Sequence, residues 1–242
     1  MSNTQGFSLN DLIKLYAKYK KRYAGNAYRH ISKLFKEAKE LHKIAFFESI
    51  SVREKLKKGV FVDHEQSWRA FKGKNLEKLI QYMITKEAEA LALKVINGNV
   101  LERTQKLPKE LSLVKRNLAI DYGEFGLHLP DVDIIIYEPQ SCKVLAVISS
   151  KVTLRERIAQ TGYWKLKLLQ DETTKHIKVY FVTPDEDGTL RHKKPAKKGR
   201  AIVEVDLDGS YLLTEEEIEK SEKVKLFEHF IPDLKRLLNN EE

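Results

Sequence analysis

Residues 130–151 read PDVDIIIYEPQSCKVLAVISSK: two apolar runs, an aspartate heading the first, a lysine ending the second, and a polar stretch between them. Both runs, DVDIIIYE and KVLAVISS, are rich in β-branched residues and bounded by Pro, Asp and Ser, the composition of buried strands. Paired antiparallel, they would bring Asp133 and Lys151, 18 residues apart, to one end of a sheet. Such a pair could be a surface ion pair contributing roughly 0–1 kcal/mol. It could equally belong to a metal site, because Mg²⁺ takes one or two carboxylates and completes its shell with carbonyl oxygens and water.

Outward from this stretch, LRERIAQTGYWKLKLLQ has the period of an amphipathic helix, and IKVYFVTP and AIVEVDL read as further strands. The local order is therefore strand, strand, helix, strand. Upstream, apolar residues recur at helical spacing from Leu9 to Phe47, with Leu12, Tyr16, Tyr19 and Tyr23 before a break at Gly25 and Asn26. Ile31, Leu34, Phe35, Ala38, Leu41 and Ala45 follow it. A third helix over residues 67–95 places Trp68, Phe71, Leu76, Ile80, Met83, Ile84, Ala88 and Leu91 on one side, with Gly73 a point of bending or interruption. A closing helix is expected over VKLFEHFIPDLKRLL. The pattern predicts an α/β (α+β) fold with a mixed central sheet flanked by helices, residues 63–242 forming the main domain and residues 1–62 a helical extension.

Forty-four Lys and Arg against 35 Asp and Glu give a net charge of +9, a field that attracts polyanions and favours nucleic acid over an acidic small molecule. The single cysteine, Cys142, cannot form an internal disulfide and reads as a small hydrophobe in or beside a strand. No apolar run reaches the roughly 18 residues of a membrane span, and MSNTQGFSLN lacks a basic head followed by an apolar stretch. A soluble, cytoplasmic protein is expected. The absence of GxxxxGK[ST], HExxH and paired CxxC argues against a P-loop or zinc enzyme, and the seven scattered histidines against an HNH nuclease.

An aspartate opening one strand and a short signature ending in Lys closing the next resemble the PD-(D/E)xK nucleases. ISSKVTLRER is similar to their restriction-endonuclease branch, and most so to the group recognising CCGG and related sites, which includes BsaWI. EQSWRAFKGKNLEKLI is similar to the BsaWI-like helix in which a Gln-Ser-Trp stretch precedes a Gly and then a Glu. The resemblance spans residues 65–184, and implies that residues 63–242 are a nuclease domain. It makes Asp133 the primary Mg²⁺ ligand, the Ser150 carbonyl a second, and Lys151 the group that activates the attacking water and neutralises phosphate. Ser149 stands where the acid of D/E-x-K is expected, a swap tolerated in the CCGG branch when another carboxylate substitutes. Glu77 is the first choice for that role, with Asp131 and Glu156 behind it, although Glu77 could also be a solvated helix charge.

Arg155, Glu156 and Arg157 match the R-(D/E)-R motif that reads C·G pairs in the CCGG group. The chemistry agrees, since Arg is bidentate to guanine O6 and N7 and Glu accepts from cytosine N4. The basic run His192, Lys193, Lys194, Lys197, Lys198 and Arg200 suits phosphate contacts, or a solvated loop. Tyr163 and Trp164 read as core or interface. The resemblance implies a type II site-specific deoxyribonuclease, Mg²⁺-dependent, a homodimer on a short palindromic site in double-stranded DNA, with a cognate DNA methyltransferase as its genetic partner. The alternatives are a structure-selective resolvase or repair nuclease of the same fold, and a non-catalytic DNA-binding protein.

Overall fold

The computed structural model describes residues 6–153 and 157–239. Four helices lead the chain: α1 (Leu9–Tyr23), α2 (Ile31–Glu48), α3 (Ile50–Lys57) and α4 (His64–Glu89). Ser8 caps α1 in a reciprocal box with Asp11, and Asp63 caps α4 by accepting from the Gln66 N–H at 3.1 Å. The expected break at Gly25 and Asn26 is a 3₁₀ turn, Ala24–His30. Helix α4 runs through Gly73 without the interruption allowed for there, and the stripe Trp68, Leu76, Leu79, Ile80, Ile84 and Ala88 is buried along its length.

The sheet has six strands in the order β1 (Lys94–Asn97), β4 (Ile134–Tyr137), β5 (Val144–Ser150), β6 (Lys178–Thr183), β7 (Gly209–Leu212) and β8 (Val224–Leu226). A small hairpin pairs β2 (Ile120–Asp121) with β3 (Leu127–His128). β4 is antiparallel to β1 and β5, while β5 through β8 are parallel, so the sheet is mixed as expected. Every residue of β4 and β5 is buried, which places them at the centre with both faces covered. The directions send the end of β1, the start of β4 and the ends of β5 to β8 to one edge of the sheet.

Helices α5 (Gly98–Arg103) and α6 (Lys109–Leu118) lie between β1 and the hairpin, α7 (Arg157–Leu168) links β5 to β6, and α9 (Phe230–Leu238) closes the chain. Two expectations are corrected. AIVEVDL is no strand but most of α8 (Lys198–Asp206), which buries Gly199, Arg200 and Val203 at helical spacing and leaves Val205 76% exposed. Its upstream neighbours decide this. Arg200 is fully buried and donates to the carbonyls of Leu190 and Glu219, and a Cβ on Gly199 would lie 2.6 Å from the Thr189 methyl. The basic run therefore joins a strand to a helix, and its Arg200 faces inward and not towards phosphate. The expected closing helix begins only at Phe230, since Val224–Leu226 add β8 to the sheet.

The buried apolar residues of α1, α2, α4 and the sheet form one cluster. Polar ties then fix the leading helices to the site edge. The Tyr28 hydroxyl donates to Glu228 at 2.9 Å, the Arg29 Nε to the Thr214 carbonyl at 3.3 Å, and the Lys72 ammonium to both oxygens of Glu186 at 2.7 and 2.8 Å. Among the described residues no helix is long and apolar enough to cross a membrane.

Candidate active site

Three elements converge where β4 begins and β5 ends. Asp133 directly precedes β4, its N–H donating to the Ile148 carbonyl at 3.0 Å, and its side chain is 7% exposed. One carboxylate oxygen accepts from the Ser150 N–H at 2.6 Å and the Ser150 hydroxyl at 3.3 Å. Lys151 follows as the first residue beyond β5, and Glu77 reaches the same point from the buried side of α4. The antiparallel pairing expected from sequence thus brings Asp133 and Lys151 together, and α4 adds Glu77.

Glu77 is not a solvated helix charge. It lies three residues before Ile80 and seven before Ile84, both fully buried, and is itself buried. Its carboxyl is pushed up to about 7, first by burial, then by the negative charge of Asp133 and a hydrogen bond between the two carboxyls. The Asn97 amide, donating at 3.4 Å, and the Lys151 charge pull it part of the way back. Two buried carboxyls in contact need a proton or a cation between them, and their oxygens are the ligand type a hard divalent cation prefers. Among the described residues no group of three or more His, Cys, Asp or Glu side chains gathers as a metal site, so such an ion would rely on this pair, carbonyl oxygen and water.

Ser149, in the place of the expected acid, is buried with its hydroxyl unpartnered, and supplies no charge. Asp131 lies before β4, exposed, and its carboxylate is bound by the Arg157 guanidinium and by the Gln160 amide at 3.2 Å. Arg155 and Glu156 lie outside the described residues. Lys193, Lys194, Lys197 and Lys198 are exposed, on the segment that leaves the end of β6, the same sheet edge as Lys151.

Two residues of the site escape a reading of the sequence. Asn97 ends β1, touches Glu77, and accepts from the Asn99 N–H at 3.0 Å to start α5. Gly98 donates its N–H to the Asp133 carbonyl at 2.9 Å, and a Cβ there would stand 1.9 Å from the Val132 carbonyl oxygen. Only a residue without a side chain permits that approach beside the Asp133 backbone. The pair follows a strand of four residues, too short to announce itself by alternation.

The mixed sheet, with a lysine and two acidic side chains at one edge, has the fold of a restriction endonuclease. The PspGI restriction endonuclease in complex with substrate DNA superposes with a TM-score of 0.53 over 99% of this chain and 98% of that one, at 15% identity. Residues 110–233 match the model of the BsaWI restriction endonuclease type 2 family. A protein of Methanocaldococcus jannaschii named as a type II restriction enzyme, MjaVIP, is 40% identical over 215 residues, 85% of this chain and 92% of that protein. A protein of Helicobacter pylori, also named as a type II restriction enzyme, is 32% identical over 195 residues, 79% of this chain and 98% of that one. The chain belongs to the BsaWI restriction endonuclease family, and is a type II, site-specific DNA nuclease.

Proposed function

We propose that this enzyme hydrolyses both strands of a short palindromic, C·G-containing site as a homodimer, using Mg²⁺ at Glu77, Asp133 and the Ser150 carbonyl. The observation that carries the reading is the meeting of Glu77, Asp133 and Lys151 at one sheet edge. When bound, the ion would polarise the phosphoryl oxygen and lower the pKa of a water. The chain's own groups do the rest. The Ser150 N–H fixes one Asp133 oxygen, Asn97 steadies Glu77, and Lys151 brings positive charge to the phosphate and to the oxygen that attacks it.

Arg155, Glu156 and Arg157, between Lys151 and the body of α7, would read C·G pairs in the major groove, and Lys193, Lys194, Lys197 and Lys198 would contact phosphates. A two-fold dimer presents the same reading groups to each half of a palindrome. The enzyme would act in the cytoplasm, with a cognate methyltransferase protecting host DNA. Family membership favours this over a structure-selective nuclease or a non-catalytic binder.

Digestion of phage DNA with Mg²⁺ or with EDTA tests it. Discrete fragments in Mg²⁺ alone, whose ends map to one palindrome, are expected. A smear, or cutting that survives EDTA, would contradict the reading.

A further inference from the structure

At the start of α7 a polar clasp joins the proposed reading helix to the segment that enters the active site. The Arg157 guanidinium nitrogen Nη1 binds the Asp131 carboxylate and also donates to the Gln160 side-chain oxygen at 2.9 Å. The Gln160 amide donates back to the same Asp131 oxygen at 3.2 Å, closing a three-membered ring of side chains. Gln160 lies three residues after Arg157, the spacing that puts both on one helix face. Asp131 lies two residues before Asp133, and Val132 between them is buried while Asp131 faces solvent.

Two features make this clasp suited to opening. Its members are in part exposed, with the Asp131 side chain at 48% and Arg157 at 23%, so the ion pair is screened and adds little to stability. A guanine edge offers Arg157 two acceptors, O6 and N7, in place of the single carboxylate oxygen that its Nη1 holds, so the guanidinium can exchange a one-point contact for a bidentate one. Asp131 has no such substitute. Once Arg157 leaves, an uncompensated negative charge stands about 7 Å along the chain from Asp133, near enough to strengthen the hold of that site on a cation.

We propose that Asp131, clasped by Arg157 and Gln160 in the free protein, couples site recognition to metal binding. Arg157 engaging its guanine releases the Asp131 charge towards the metal site, and binding of the ion in turn favours the DNA-bound position of Arg157. Linkage makes the two effects equal. Asp131 is thus a coupling residue that need not ligate the ion. The inference rests on Arg157 contacting DNA.

The test uses the full-length protein and a duplex carrying the site mapped from wild-type fragment ends, with Ca²⁺ as a divalent ion that replaces Mg²⁺ in binding assays. Wild-type affinity should rise about tenfold from EDTA to Ca²⁺ on the mapped site, and little on a duplex with one base pair of the site changed. In Asp131→Asn, which keeps the size of the side chain and its hydrogen bond to Arg157, the rise on the mapped site should shrink to less than about threefold. A variant showing the full wild-type rise would overturn the coupling while leaving Arg157 as a DNA contact. Arg157→Ala with unchanged preference for the mapped site would overturn the reading beneath it.

Discussion

Glu77 and Asp133 come from a helix and a strand 56 residues apart in sequence and meet carboxyl to carboxyl, with Asn97 and Lys151 beside them. That contact places a titration inside the fold. The Glu77 carboxyl is raised from 4.5 to about 7, so the folded state holds a proton that the unfolded chain releases more readily. Its stabilising effect is complete below pH 4.5 and is lost as pH rises through about 7. In EDTA, wild-type stability should therefore fall by about 1–3 kcal/mol between pH 5 and 8 relative to Glu77→Gln, as read by urea denaturation. Equal pH slopes would show that neither burial nor the Asp133 charge raises the Glu77 carboxyl. In Mg²⁺ the same variant should cleave at least about a hundredfold more slowly.

His42 should give a dependence of opposite sign. It is buried among Phe7, Phe46, Trp68 and Phe71, its Nδ1 lies 3.2 Å from the His64 Nε2, and its pKa is lowered by burial and then by the charge of His64. A base that is harder to protonate in the fold destabilises it as pH falls below the unfolded value near 6.5. His42→Phe, which keeps the ring packing, should flatten the loss of Tm between pH 6.5 and 5. A variant whose Tm falls as steeply as the wild type would assign the acid sensitivity elsewhere.

Gly98→Ala should damage fold and site together. The added methyl would meet the Val132 carbonyl at 1.9 Å, and the Gly98 N–H bond to the Asp133 carbonyl would have to give. A loss of about 1–3 kcal/mol in stability and a larger proportional loss of cleavage are expected. Unchanged Tm and rate would mean that the backbone there yields freely.

The basic segment should divide by burial. Arg200, fully buried on two carbonyls and Glu204, should cost roughly 3–5 kcal/mol when truncated to Ala, with DNA affinity per folded molecule little changed. Each of Lys193, Lys194 and Lys198, exposed, should leave stability within about 0.5 kcal/mol of wild type when replaced by Ala. Each Ala variant should lower the slope of log affinity against log salt by about one. Titration of binding across salt concentrations separates the two groups.

The core of the sheet was legible because β4 and β5 are unbroken apolar runs whose only sensible pairing sends Asp133 and Lys151 to one end. The depth of Glu77 was also written in its spacing from Ile80 and Ile84, though only the packing of α4 on the sheet decides it. AIVEVDL misled because a short apolar run fits either period, and the residues that make it helical, Gly199 and Arg200, act through contacts with Thr189, Leu190 and Glu219. Asn97 and Gly98 carry no local signal at all. Their roles exist only once β1 lies beside β4. The clasp of Asp131 by Arg157 likewise joins residues 26 apart that no periodicity connects.

The most direct test of the account is single-turnover cleavage of the mapped duplex by Asp133→Asn, with binding measured on the same preparation. The amide oxygen introduced by this substitution can still accept from the Ser150 N–H, so folding and DNA affinity in EDTA should be retained while Mg²⁺-dependent cleavage falls by at least about a thousandfold. Cleavage within about tenfold of wild type would contradict the assignment of the active site to Glu77, Asp133 and Lys151.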